Sequence, residues 1–256
     1  MDVERPVNYL LCIGHSHIHP LEAAFREPDE NDPVIFGRSE FVCLLDSPYA
    51  PSIGYPDGHS PVANPEWIKM VKGHYDNCNM YIVSAIGGSE YWHRSLCLSP
   101  SIFNFLDNIL PSSDEPDICI IPYDLALRQA MLDLKDLMIH IELIRALSAG
   151  PIIHVLPPPP LEDIVKKIDP ANVQVVELLR NELISPACLR LKFWHLYAKA
   201  TRDICQRLDV VVVDGSSSVS DEHGYLKDDF VQDMIHGNKA WGRVQRQAIL
   251  REFGLS

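Results

Sequence analysis

Val7-Asn8-Tyr9-Leu10-Leu11-Cys12-Ile13-Gly14-His15-Ser16-His17 is an apolar run of strand length that stops at a glycine and turns polar at once. A short, nearly continuous apolar run is how a strand buried on both faces reads, and such strands belong to parallel sheets covered by helices. Ser16 therefore falls just past the carboxyl end of a first strand. Similar runs recur at Phe41 to Leu45, Met80 to Ile86, Ile118 to Ile121, Ile152 to Leu156 and Val210 to Val213.

Helical patterns fall between the later runs. From Leu125 to Leu147 apolar residues recur at Leu127, Met131, Leu134, Met138, Ile141 and Ile144, a three-four stagger that paints one face of a single helix. Ser185-Pro186 reads as an N-cap followed by proline at the first helical position, opening a helix with Phe193, Tyr197, Ile204 and Leu208 on one face. A last helix is expected from about Asn238 to Phe253. Strands alternating with helices predict a parallel sheet covered on both sides, because parallel neighbours need a crossover and a helix supplies it. Ser47 to Pro65, with five prolines and two glycines, reads as a loop. Pro157 to Pro160 reads as a rigid exit from a strand. We expect one domain spanning residues 1–256.

The formal charge of −13 opposes nucleic acid and anionic membranes as partners, since binding to phosphates draws most of its affinity from Lys and Arg. Seven scattered cysteines without a Cys-x-x-Cys pair predict free thiols, with neither a zinc knuckle nor a redox dithiol. No apolar window reaches the length of a membrane span, and the N-terminal stretch is too short and too acidic for a secretory signal. A cytoplasmic protein is the expectation.

The chemistry is expected where strand ends meet. In a doubly wound sheet the carboxyl ends of the strands share one edge, and ligands settle in the crevice there. Ser16 follows the first strand, and Asp233 and His236 follow the last by about twenty residues, so the separation of 217 positions between Ser16 and Asp233 is no obstacle. A serine hydroxyl is a poor nucleophile until an imidazole accepts its proton, and that imidazole needs a carboxylate to fix its tautomer. His236 would be the base and Asp233, three residues earlier, its orienter. Ile86-Gly87-Gly88-Ser89-Glu90 follows another strand and is built for close backbone approach. Together these residues predict a serine hydrolase.

With these residues in view the chain resembles the SGNH, or GDSL-like, hydrolases. The first block of that family corresponds to Ile13-Gly14-His15-Ser16-His17, with His15 where the family usually has Asp. The last corresponds to Gly224-Tyr225-Leu226, then Asp233-Met234-Ile235-His236-Gly237-Asn238 and Gly242. The third block, usually Gly-x-Asn, reads Gly87-Gly88-Ser89, with Ser89 in place of the oxyanion-binding Asn. For the oxyanion glycine of the second block, Gly54 comes first and Gly58 next. The resemblance implies an α/β fold, a three-layer α/β/α sandwich with a doubly wound, mainly parallel five-stranded sheet. It also implies hydrolysis of a small-molecule ester or thioester through an acyl-enzyme on Ser16, without a metal or other cofactor, and with oxyanion and substrate contacts from Gly54, Gly88 and Ser89.

Two alternatives stay open at the level of sequence. The Ser89 departure allows a slow hydrolase, an acyltransferase or a ligand-binding protein of the same fold. The alternation of His15, His17 and His19 allows a metal-dependent hydrolase using His15 and His17, although six strand-like runs are few for an eight-stranded barrel; the favoured reading has His15 and His17 lining the cleft or bonding backbone carbonyls. His59, His74, His93, His140, His154 and His195 have no partner pattern and read as structural. Tyr91 and Trp92 read either as core or as the wall of an acyl pocket. Substrate identity and oligomeric state are not encoded in any motif of the chain.

Overall fold

The computed structural model describes residues 8–28, 35–73, 79–88, 90–96, 104–105, 120–168, 176–177 and 184–255. Five strands form the central sheet: β1 (Asn8–Gly14), β2 (Arg38–Cys43), β5 (Asn79–Ala85), β8 (Ile152–Val155) and β9 (Val211–Val213). Their order is β2-β1-β5-β8-β9 and every pairing is parallel. The opening run is the centre of this sheet. Leu10, Leu11, Cys12 and Ile13 are wholly buried, as are Ile82 and Val83 beside them. Burying a side chain of this size contributes about 1.5–3 kcal/mol, so the apolar runs themselves select the central positions.

The helices are α1 (Ile18–Arg26), α2 (Pro65–Gly73), α3 (Glu90–Ser95), α4 (Tyr123–Asp133), α5 (Lys135–Leu147), α6 (Ala187–Arg207), α7 (Ser216–Val219) and α8 (Lys239–Glu252). From β1 the chain steps to one edge at β2, then crosses back and proceeds through β5 and β8 to β9 at the other edge. Right-handed crossovers therefore put α1 on one face and the helices that follow β2, β5 and β8 on the opposite one. α8 joins α1, while α3, α4 and α5 pack against α6 and α2 packs against α5. The direction of winding reverses between β1 and β5, and that switch point opens a crevice at the carboxyl ends of the two strands. Gly14 permits the close approach there: a Cβ on it would lie 2.7 Å from the Ala85 carbonyl oxygen.

Several expectations change in detail. Ile118 and Cys119 lie outside the described residues, and the rest of that run forms β7 (Ile120–Ile121). It pairs with β6 (Asn104–Phe105) away from the central sheet, and Ile120 is 60 % exposed. The single helix expected over Leu125 to Leu147 is two, α4 and α5, separated at Leu134, whose ψ of 14° departs from the helical value. The buried row of Leu134, Leu137, Ile141 and Ile144 still faces the core. At the junction the Asp133 carboxylate accepts from Arg94, Tyr197 and Gln129, a tether that periodicity does not encode.

Ser185 is not the cap of α6. Pro186 takes the N-cap position with ψ 146°, the Ser185 hydroxyl has no partner among the described residues, and the Ser185 carbonyl accepts from Arg190. The Ser47–Pro65 loop contains a small antiparallel hairpin, β3 (Ile53–Gly54) with β4 (Val62–Ala63). It is held because Asn64 Nδ2 donates to the Pro48 and Tyr49 carbonyls at 3.0 and 3.1 Å and Trp67 Nε1 to that of Ser52 at 2.9 Å. α8 begins where expected, with the Asn238 side chain accepting from the N–H groups of Ala240 and Trp241. None of Cys12, Cys43, Cys188 and Cys205 is in a disulfide, and the other three cysteines lie outside the described residues. Among the described residues no helix is long and apolar enough to cross a membrane.

Candidate active site

The chain leaves β1 through a tight turn. His15 N–H donates to the Ala85 carbonyl at 3.1 Å, which extends the β1–β5 pairing by one residue, and Ile18 N–H donates back to the His15 carbonyl at 3.0 Å. Ser16 sits at the tip of this turn. The cap position of α1 is His17, which makes no side-chain capping bond. The serine hydroxyl is thus left free of the role that serines most often take before a helix.

It meets His236. The residues from Val231 to Gly237 form a narrow loop closed by an antiparallel bridge at its base, with Gln232 N–H donating to the His236 carbonyl at 2.9 Å. Asn238 fastens this loop to α8, its amide donating to the Asp229 carbonyl at 2.8 Å while its oxygen caps the helix. Inside the loop the Asp233 carboxylate accepts the N–H groups of Ile235 and His236, both at 2.8 Å, and faces His236 Nδ1 at 2.8 Å. Burial pushes this carboxyl up, but the hydrogen bonds from the His236 ring and the two backbone N–H groups outweigh it and hold the pKa at about 2. An ionised carboxylate only accepts, so Nδ1 carries the proton and Nε2 keeps its lone pair. Ser16 Oγ lies 2.8 Å from that Nε2. Its hydroxyl donates to the nitrogen that could take its proton.

The floor of the site is less familiar. His17 is 4 % exposed, its ring 4.9 Å from that of His236, and neither of its nitrogens has a hydrogen-bond partner among the described residues. It rests on Gly88, whose φ of +98° suits glycine and whose added Cβ would lie 2.7 Å from the His17 ring. Gly88 N–H donates to Glu90 Oε2 at 2.7 Å, so what this residue gives the site is space, while its N–H is already occupied. Gly87 N–H donates to His15 Nδ1 at 3.1 Å. Ser89 lies outside the described residues. Gly54 pairs with Val62 in the hairpin after β2, and Gly58 lies farther along the same hairpin loop. The segment that the sheet sets beside Gly14 is Leu44, which donates to the Gly14 carbonyl at 2.7 Å. Ser16 N–H donates to no group among the described residues and lies at the amino end of α1, where the helix favours negative charge.

Behind Gly88 lies a cavity of about 20 Å³, the room of one water molecule, lined in part by Tyr91, His154, Pro157 and Trp194. Tyr91 and Trp92 are both buried, which assigns them to the core. Among the described residues no group of three or more His, Cys, Asp or Glu side chains is arranged to hold a metal ion. His140 is saturated, its Nδ1–H donating to the Asp136 carbonyl at 2.6 Å and its Nε2 accepting from Ser52 at 2.9 Å. Sequence reading put His17 along the cleft but not as a buried ring on Gly88, and it missed Glu90. An imidazole after the nucleophile and a carboxylate after a glycine pair were the only signals, and neither has a chemistry of its own without the neighbours.

Burial disfavours the charged form of His17 and His154, as it does that of His15 and His140. It lowers His154 to about 4, and together with the charge on neighbouring His236 it lowers His17 to about 3. An unfolded histidine takes up its proton near pH 6.5, whereas these two do not while folded. Between about pH 6.5 and 4 the unfolded chain therefore binds more protons, and stability, complete above pH 6.5, falls with acid. Each histidine contributes about 1.4 kcal/mol per pH unit over that window. The thermal midpoint is expected to drop steadily from pH 7 to 4.5, and less steeply in His154→Gln. A midpoint that stays level over this range would contradict the assignment.

No protein-family model matches the chain, and no curated protein does. Among solved structures it is similar to an aryl esterase from M. smegmatis, with 14 % identity, 97 % of this chain and 100 % of the other covered, and a TM-score of 0.46. It is also similar to an acetylxylan esterase from Geobacillus stearothermophilus, with 12 % identity, coverage of 97 % and 94 %, and a TM-score of 0.43.

Proposed function

We propose that the chain is an ester hydrolase of the SGNH kind that works through an acyl-enzyme on Ser16. One observation carries this reading: the 2.8 Å contact between Ser16 Oγ and His236 Nε2, with the ionised Asp233 on the far side of the ring. As Ser16 Oγ attacks the ester carbonyl carbon, its proton passes to His236 Nε2, and Asp233 stabilises the imidazolium that forms. The carbonyl oxygen becomes negative beside the amino end of α1, where Ser16 N–H is a donor. Collapse of the tetrahedral intermediate releases the alkoxide, which takes the proton from His236. Water then enters, gives a proton to the same nitrogen and attacks the acyl carbon. The acid leaves and Ser16 regains its hydrogen.

The substrate class in this reading is an ester of a small or medium organic acid, acting as the protein's small-molecule partner. A panel of nitrophenyl esters with acyl chains of increasing length provides the test. Turnover of at least the shorter members is expected, with the rate declining as the chain grows. A protein that is folded yet inert toward the whole panel would favour a binding role for the same cleft.

A further inference from the structure

Position 15 separates this chain from the family it resembles, because Asp offers only acceptors once ionised while an imidazole offers one acceptor and one donor. The acceptor is spoken for. Gly87 N–H points at His15 Nδ1 from 3.1 Å, and a donor there requires a lone pair on that nitrogen. An imidazolium has none, so the ring is neutral and its single proton sits on Nε2. Burial, which lowers the group to about 4 with a further contribution from His140, agrees with that state.

The Nε2–H has no acceptor among the described residues. His140 meets the His15 ring edge-on at 6.1 Å, and both of its nitrogens are already engaged by Asp136 and Ser52. His15 is partly buried, follows the last residue of β1 and immediately precedes Ser16, with the Gly87–Gly88 turn on one side. That donor is not sealed from solvent, so a water or a ligand can reach it. The ligand that a serine nucleophile awaits carries two oxygens at its reacting carbon.

We propose that His15 is a substrate-contacting residue of this same site, its neutral imidazole offering Nε2–H to an oxygen of the bound ester, an assignment that rests on the hydrolase reading above. The position thereby gains a donor that Asp would lack, in a chain whose third block also departs from the carboxamide pattern at Ser89. Gly87 has a second part in it: by occupying Nδ1 it fixes which nitrogen faces the substrate.

Two substitutions separate the donor from the tether. In His15→Asn the carboxamide oxygen ends near the place of Nδ1 and keeps an acceptor for Gly87, but nothing reaches the place of Nε2. In His15→Gln the longer side chain brings an amide N–H to the place of Nε2 and gives up the Gly87 contact. With nitrophenyl acetate, kcat/KM is expected to fall about tenfold to a hundredfold in His15→Asn, mainly through kcat, and to stay within about threefold of the parent in His15→Gln. Thermal midpoints of both variants accompany the kinetics. An active His15→Asn, or equal losses in both variants, would overturn the donor role and leave His15 as a brace for Gly87. Ser16→Ala measured alongside keeps the two levels apart. Undiminished turnover in that variant would overturn the hydrolase reading itself, whereas its loss together with a fully active His15→Asn would overturn only the role of His15.

Discussion

Ser16→Ala is expected to remove turnover of an activated ester such as nitrophenyl acetate, by about a million-fold if its partners act with it as a unit. The substitution deletes one oxygen at the tip of a turn whose backbone bonds, from His15 to Ala85 and from Ile18 to His15, do not involve the hydroxyl. The fold is therefore expected to survive, with a thermal midpoint within a few degrees of the parent. His236 and Asp233 remain joined in the variant, so any activity left would measure what the imidazole and the amino end of α1 achieve with water alone. A variant that keeps even a tenth of the parent rate would show that the ester is cleaved elsewhere.

Asp233→Asn carries the second large effect. The carboxamide oxygen can still accept from Ile235 and His236 N–H, which preserves the loop. Its NH₂ group, however, would face His236 Nδ1, and two donors cannot share that contact. The ring would shift its proton to Nε2, the nitrogen 2.8 Å from Ser16 Oγ, and lose the lone pair that accepts from the hydroxyl. A fall in kcat of about ten-thousandfold is expected, with KM little changed, because the loss is felt only once the proton must move. Steady-state kinetics on the purified variant measure both. A loss under tenfold would mean that Asp233 holds the loop and does not set the tautomer.

Much of this arrangement is legible in the sequence. The run from Val7 to Ile13 announced a doubly buried strand because its apolar residues do not alternate, and Leu10 to Ile13 are indeed sealed from solvent. Asp233 and His236 were legible as a pair because three residues of a tight loop suffice to bring a carboxylate to an imidazole. What could not be read is what depends on distant partners. The break at Leu134 involves Asp133 being held by Arg94 and Tyr197 from other helices, and nothing in the periodicity of Leu125 to Leu147 carries that. The oxyanion glycine sought at Gly54 lies in a hairpin whose pairing with Val62 is non-local, while the sheet brings Leu44 to Gly14. Gly88 was legible as a place of close approach, but what approaches, the buried ring of His17, was hidden by a separation of 71 positions. His15 was legible as a departure from a pattern. Its tautomer needed Gly87.

The most direct measurement is covalent. An alkyl fluorophosphonate reacts with a serine only when a neighbouring base draws off its proton, and peptide mapping by mass spectrometry then locates the adduct. One phosphonyl group on the peptide containing Ser16 is predicted, abolished by Ser16→Ala and strongly slowed by Asp233→Asn. A folded protein that takes up no phosphonate, or takes it up on another residue, would contradict the central claim that Ser16 is the activated nucleophile.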